Sequence, residues 1–415
     1  MILLSHPTAN QNVRQAVLAL AEADLLEEFW TGVSWQQNGL LDQLTAISPR
    51  LQSELRRRSF PAELAPFVRT VSGREWGRLI AGRLGWGRLS HGEEGCFSVD
   101  AVYRALDRRV AERIASGLTI KAVYAYDDGA LATFRAARER GIKCIYEHPI
   151  ISWRVVRQLQ REEAELHPEW ASTLGALRDS DAKLARKDEE LALADVVVTA
   201  SSFARESVTA VPKLTAPVRV IPYGTDPASG PLPRATADGK LRVLFVGALT
   251  QAKGLGYLLE AVVPLALEIE FTLIGRRVSP TIPAPSVVDN YRWIPSLPHD
   301  GLLQEMSRHD VLVLPSLHEG FGMVMTEAMA QGLVVITTPH TAGPDLITDG
   351  VEGFLVPIRS AAAIEEKLSL LCHDDDRLRT MQEAARSKAR ACTWENYRQR
   401  LVALAREVVD TRVDS

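Results

Sequence analysis

The sequence predicts an α/β protein made of two doubly wound parallel sheets, one in each half of the chain. Three observations lead there. The chain has 415 residues, too many for one ordinary core and close to two domains of about 200 residues each. Short apolar runs alternate with longer amphipathic segments, the pattern of βαβ units. Residues 223–240, YGTDPASGPLPRATADGK, are rich in Pro, Gly, Ser and Asp, lack apolar periodicity and precede a fresh apolar run. The expected divisions are 1–225, 226–390 and a helical segment 391–415, for whose apolar stripe the first domain is the candidate surface.

In the first half MILLS, KAVYAYD, KCIYEHP, DVVVTAS and VRVIPYG read as strands. NVRQAVLALAEADLL and GALATFRAARERG carry helical periodicity between them. In the second half the strands are LRVLFVG, EFTLIG, DVLVLPS, LVVITTP and GFLVPI. The helices there include GLGYLLEAVVPLAL, VMTEAMAQG and AAAIEEKLSLLC, and TWENYRQRLVALAREVV closes the chain.

Charge and cysteine usage narrow the function classes. A net charge of -4 argues against nucleic acid as an obligate partner. Four dispersed cysteines without a CxxC pair suit reduced thiols in a cytosol rather than a disulfide framework or a zinc site. No signal peptide or spanning helix is read, so a cytoplasmic location is expected. Residues 50–90 stand apart, with nine arginines against three glutamates and Trp76 and Trp86 interleaved. The pattern suits either a solvated helical face or a patch that meets an acceptor or the inner membrane surface.

The chemistry concentrates in PSLHEGFGMVMTEAMAQG, residues 315–332, where seven residues separate Glu319 from Glu327. In an open α/β sheet, ligands bind beyond the carboxyl ends of the strands. Gly320 and Gly322 let the backbone approach a ligand, and the following helix start favours an anion. Glu319 lies in the loop and Glu327 about one turn into the helix, so both carboxylates can face one cleft. One carboxylate suits a ribose diol and the other the hydroxyls of a sugar; a helix-start acidic bias with a glycine turn is the plainer alternative. VLFVGALTQAKGLGYLLEA adds Gly247 and Lys253 before another helix, a fit for a diphosphate. It matches neither G-x-x-x-x-G-K-[ST] nor G-x-G-x-x-G.

These residues resemble a known family. FVGALTQAKGLGYLLEA, FTLIG, VLVLPSLHEGFGMVMTEAMAQGLVVITT and AGPDLITDGVEGFLVP, over residues 241–358, resemble the nucleotide-sugar domain of glycosyltransferase family 4. The resemblance implies a GT-B fold, two Rossmann-like domains facing across a cleft. It implies retaining, metal-independent transfer of a sugar from a nucleoside diphosphate to an acceptor hydroxyl, without a cofactor. By that likeness Glu319 contacts the donor sugar, Glu327 the ribose and Lys253 the diphosphate. Gly320, Phe321 and Gly322 present backbone amides to the sugar. KCIYEHP resembles the family strand that ends in a histidine facing the donor sugar, which makes His148 a catalytic candidate beside Glu319 and Lys253.

The sequence departs from the family in two places. Ala248 stands where an arginine commonly shares the diphosphate, and Arg276 or Arg277 of LIGRR is the candidate replacement. SHPTANQN replaces the glycine-rich turn after the first strand, so Asn10, Gln11 or Asn12 would offer side-chain amides there. Asp127 and Asp128 end another strand at the same edge, as acceptor ligands or as loop caps. Three rivals remain beside transfer. They are a nucleotide-sugar epimerase or hydrolase, a weak binding module for which Ala248 is the argument, and a dehydrogenase, disfavoured by the missing glycine fingerprint. Nucleobase, sugar and acceptor are open, although RWIPSL lies where the family reads the base through backbone groups.

Overall fold

The computed structural model describes residues 1–8, 10–35, 58–212, 214–228, 230, 232, 239–279 and 291–410. Arg50, Glu54, Arg56 and Arg57 of the basic segment, and much of the 223–240 join, lie outside the described residues.

Two all-parallel sheets form the frame. The first contains β1 (Ile2–Ser5), β2 (Leu26–Thr31), β3 (Val68–Thr70), β4 (Ala122–Tyr126), β5 (Lys143–Glu147), β6 (Val196–Thr199) and β7 (Val218–Val220), in the order β3-β2-β1-β4-β5-β6-β7. The second contains β8 (Leu241–Val246), β9 (Ile269–Ile274), β10 (Tyr291–Ile294), β11 (Val311–Leu314), β12 (Val334–Thr337) and β13 (Gly353–Leu355), in the order β10-β9-β8-β11-β12-β13. Strand order reverses between β1 and β4 and again between β8 and β11. Each reversal opens a crevice at the carboxyl ends of its two strands.

The apolar runs are continuous because helices cover both faces of each sheet. β1, β4, β6, β11 and β12 are buried at every residue. Three strands escape the sequence pattern. β2, LEEFWT, carries two adjacent glutamates, and Glu28 fits only because Trp30 Nε1 donates to it at 2.8 Å and Arg113 Nη2 at 2.9 Å. β3 has only three residues and β10 is a half-exposed edge strand, so neither shows strong periodicity. Its YRWI includes the first half of RWIPSL.

The last helix, Trp394–Asp410, crosses back and packs on helix Gln11–Glu22 of the first sheet. Arg398 Nη1 donates to Gln15 Oε1 at 2.9 Å. Tyr397 is fully buried and meets Tyr223 edge-on, their centroids 5.7 Å apart. Among the described residues no helix is long and apolar enough to cross a membrane, and all four cysteines are free.

Candidate active site

The crevice between β8 and β11 is built from two loops that touch. After β8 the chain runs through Gly247 and Ala248 into the single turn Gln251–Lys253, then into helix Leu255–Val262. After β11 it runs through His318, Glu319 and the Gly-Phe-Gly turn into helix Met323–Gln331. Leu317 N–H donates to the Ala252 carbonyl at 2.9 Å, tying the loops together. Gly254 is held at φ 70°, and a β-carbon there would sit 2.0 Å from the Pro315 carbonyl oxygen. Only glycine meets both conditions.

Lys253 and Glu319 form an ion pair across the crevice, each side chain about a quarter or less exposed. Glu319 N–H donates to the His340 carbonyl at 2.9 Å, which fixes the loop beneath the carboxylate. Glu327 lies one turn into its helix, and His299 Nδ1 stands 4.0 Å from its carboxylate. Burial raises its pKa above the ordinary carboxylate value, His299 opposes the rise and Asp226 adds to it. His318, the residue before Glu319, was not singled out in the sequence. Its Nε2 is 3.1 Å from Gln160 Nε2, and burial lowers its pKa to about 4, so it is neutral near pH 7. Its only signal was its place beside the first glutamate.

The first domain closes the other side. Gly320 packs so tightly that a β-carbon there would lie 1.9 Å from the Pro149 carbonyl oxygen. Ser201 Oγ donates to the Gly320 carbonyl at 2.6 Å. Ser202 donates to Asp345 through N–H at 2.7 Å and Oγ at 2.5 Å, and Phe203 stacks on His340 at 4.5 Å. Phe321 is buried edge-on against Tyr223 at 5.4 Å. His148 directly precedes Pro149, so the end of β5 abuts the glycine turn. Its ring is buried and stacks on Tyr146. Nδ1 lies 3.3 Å from Asp127 Oδ1 without hydrogen-bond alignment, and Nε2 has no partner among the described residues.

The structure thus puts Gly247, Lys253, Glu319, Gly320, Phe321 and Gly322 in two loops that touch, with Glu327 on the helix that follows and His148 next to Pro149, which Gly320 meets. Other candidates are engaged elsewhere. Arg277 stacks over the Trp293 ring at 4.5 Å. Arg276 is exposed at the rim, its carbonyl accepting from Leu249 N–H at 3.0 Å. Asn12 faces inward, its amide donating to the Tyr223 hydroxyl at 3.2 Å and to Glu147 Oε1 at 3.4 Å. Asn10 precedes helix 11–22 and accepts from the Thr8 hydroxyl at 3.1 Å. Asp127 receives Lys187 Nζ at 2.5 Å and the Tyr146 hydroxyl at 2.6 Å. Asp128 receives Lys187 at 2.8 Å and Arg186 at 3.1 Å. These two aspartates anchor the end of β4 to helix Asp181–Leu193 through ion pairs, which is neither the loop cap nor the acceptor contact that the sequence suggested.

Residues 233–388 match the family model of glycosyl transferases group 1. The chain is 31% identical over 162 residues to the amylovoran biosynthesis glycosyltransferase AmsK of Erwinia amylovora, covering 36% of this chain and 40% of that protein. It therefore spans about two fifths of the length of the curated relatives it matches. Among solved structures, sucrose-phosphate synthase from Thermosynechococcus elongatus superposes with a TM-score of 0.67 at 18% identity, over 99% of each chain. HepE of Anabaena in complex with UDP-glucose superposes with a TM-score of 0.60 at 14% identity, over 98% of this chain and 99% of that one. The fold is GT-B.

Proposed function

We propose, from the premise that residues 233–388 are a glycosyl transferases group 1 domain within a GT-B fold, that this protein moves a sugar from a nucleoside diphosphate to an acceptor hydroxyl with retained anomeric configuration. The observation that carries the reading is the Lys253–Glu319 ion pair between the loops that follow β8 and β11, with Glu327 one turn into the helix behind Glu319. A donor would exchange partners with the Lys253–Glu319 pair. Its diphosphate takes the ammonium group, which frees the Glu319 carboxylate for the hydroxyls of the sugar. Glu327 accepts from the ribose diol.

As the glycosidic bond breaks, charge grows on the diphosphate. Lys253, once released from Glu319, and the amides at the helix starts stabilise that charge. His148 Nε2, which has no partner among the described residues, is available to a sugar hydroxyl. Closure of the two domains excludes water, which would otherwise compete with the acceptor. A thermal-shift screen of nucleotide sugars tests the reading: a true donor at 100 times its dissociation constant stabilises the fold by about 2.7 kcal/mol. Release of free nucleotide without any acceptor would favour hydrolysis instead.

The raised pKa of Glu327 gives donor binding a pH dependence. The carboxylate must be ionised to accept both ribose hydroxyls, so affinity falls as pH drops through that raised value. The sign for folding is opposite: a carboxyl raised in the folded state loses stability as pH rises above its unfolded value. Calorimetric titration of the donor across pH should show the acid-side loss in the wild type. Glu327→Gln should bind weakly and without that limb.

A membrane surface is the proposed partner of the basic segment. Ile80, Leu84, Trp86 and Leu89 are exposed along the stretch that carries exposed Arg83 and Arg88. By contrast Arg58 and Arg78 are both paired with Glu75. Apolar side chains flanked by free arginines suit the interface of an anionic leaflet. The protein should float with phosphatidylglycerol-containing vesicles at low salt and dissociate at high salt. Leu84→Ser combined with Trp86→Ser should abolish flotation; a wild type that stays in solution at low salt contradicts the assignment.

A further inference from the structure

Side chains of the first domain hold the two donor loops of the second. Helix Trp153–Leu166 follows the His148–Ser152 loop, and Leu159, Gln160 and Glu163 form its buried face. Glu163 has no exposed surface and accepts three side-chain hydrogen bonds, all from the second domain. Oε1 accepts from Gln251 Nε2 at 2.7 Å and from the Tyr257 hydroxyl at 2.8 Å, and Oε2 accepts from Arg359 Nε at 2.8 Å. Arg359 is held in the left-handed region at φ 63°, uncommon for a residue with a side chain.

These bonds reach the crevice directly. Gln251 opens the turn that presents Lys253. Its Oε1 accepts from Gly256 N–H at 3.0 Å, and its own N–H donates to Thr173 Oγ1 of the first domain at 3.1 Å. Three residues before Glu163, Gln160 faces His318, the neighbour of Glu319, while its Oε1 accepts from Ala176 N–H at 2.9 Å. One helix face therefore touches both loops. A buried carboxylate is costly unless several donors meet it, and helix packing alone needs no carboxylate at that position. One of the donors it meets, Gln251, opens the Lys253 turn, and a second, Tyr257, lies in the helix that follows it.

We infer that Glu163 is a positioning residue of the donor site, fixing the Lys253 turn through Gln251, with Gln160 steadying the His318–Glu319 loop. The donor half-site is then complete only when the first domain is docked on it. This rests on the proposed nucleotide-sugar site, and the test separates the two. Uridine, guanosine, adenosine and thymidine diphosphates are titrated calorimetrically into the full chain and its variants, and the ligand-free thermal midpoint is recorded for each.

Glu163→Gln should weaken binding of the preferred nucleotide about tenfold, and Gln251→Ala should do the same. The double variant should be no weaker than either single variant, because both break one link. Glu165→Gln, on the exposed side of the same helix, should bind as the wild type does. A purely structural role would lower the thermal midpoint and leave the dissociation constant of the folded protein unchanged, which overturns the inference. Additive losses in the double variant also overturn it. Gln251→Ala decides the matter should Glu163→Gln not fold. If no nucleoside diphosphate binds the wild type, the donor reading itself fails.

Discussion

Replacing Lys253 by alanine should lower kcat by about 10²–10³, the loss seen when a preorganised charge stabiliser is removed from a transition state. The ammonium group stands at the head of the β8 loop, with Gly254 allowing that loop to pass against Pro315. Ala248 offers no second cation in that loop and Arg277 is stacked on Trp293, which leaves exposed Arg276, whose carbonyl accepts from Leu249 N–H, as the remaining candidate to share the diphosphate. Without a donor Lys253 pairs with Glu319, so the variant leaves that carboxylate facing an incoming diphosphate. Donor affinity should fall together with turnover. Adding Glu319→Gln to Lys253→Ala should recover part of the binding by removing the repulsion, with little recovery of rate. Steady-state kinetics and calorimetry on the four proteins check this. Wild-type turnover in Lys253→Ala would remove the lysine from the reaction.

The largest effect on stability should come from Lys187→Met. The Lys187 and Asp127 side chains are only 5% and 6% exposed, and Lys187 also bonds Asp128. Without it, Asp127, Asp128 and Glu190 are left close together in the interior. Burial and then Asp127 already push Glu190 up to about 8. Breaking such a buried pair typically costs about 3–5 kcal/mol, a fall in thermal midpoint on the order of 10 °C for a domain of this size. The pH dependence follows from sign. Burial alone would raise Asp127, but Lys187 and His148 together outweigh it and hold the carboxyl below its ordinary value. That stabilisation is therefore present above the unfolded pKa and lost as pH falls through the folded one. The deficit of Lys187→Met should be greatest at neutral pH and shrink in acid. Denaturant midpoints at several pH values measure it. Because Asp127 also faces His148 Nδ1, the folded fraction of the variant should lose activity as well.

The donor side of the crevice was legible in the sequence because its parts are local. Strand, glycine turn and helix follow one another around Glu319 and around Lys253, and the strand order places the two units side by side. The first domain's share was not legible for a matching reason. Glu163 sits in REEAEL, where it reads like any charged helix residue, and its partners Gln251, Tyr257 and Arg359 are 88 to 196 residues away. Ser201 reads as a helix cap, which it is for Ala204, yet it also donates to Gly320. Asn12 lies in a loop-to-helix segment that invites a ligand, but burial turns its amide toward Glu147 and Tyr223. Asp127 and Asp128 have open-looking sequence neighbours, and Lys187 reaches them from about 60 residues further along the chain. Where tertiary burial chooses a polar partner, local pattern carries little of the choice.

The most direct measurement is a crystal structure of the full chain soaked with the nucleoside diphosphate that stabilises it most. Density should place the ribose hydroxyls on the Glu327 carboxylate and the β-phosphate against the Lys253 ammonium group, with the Lys253–Glu319 pair opened. A nucleotide bound at another surface, with that pair intact and Glu327 untouched, would contradict the account.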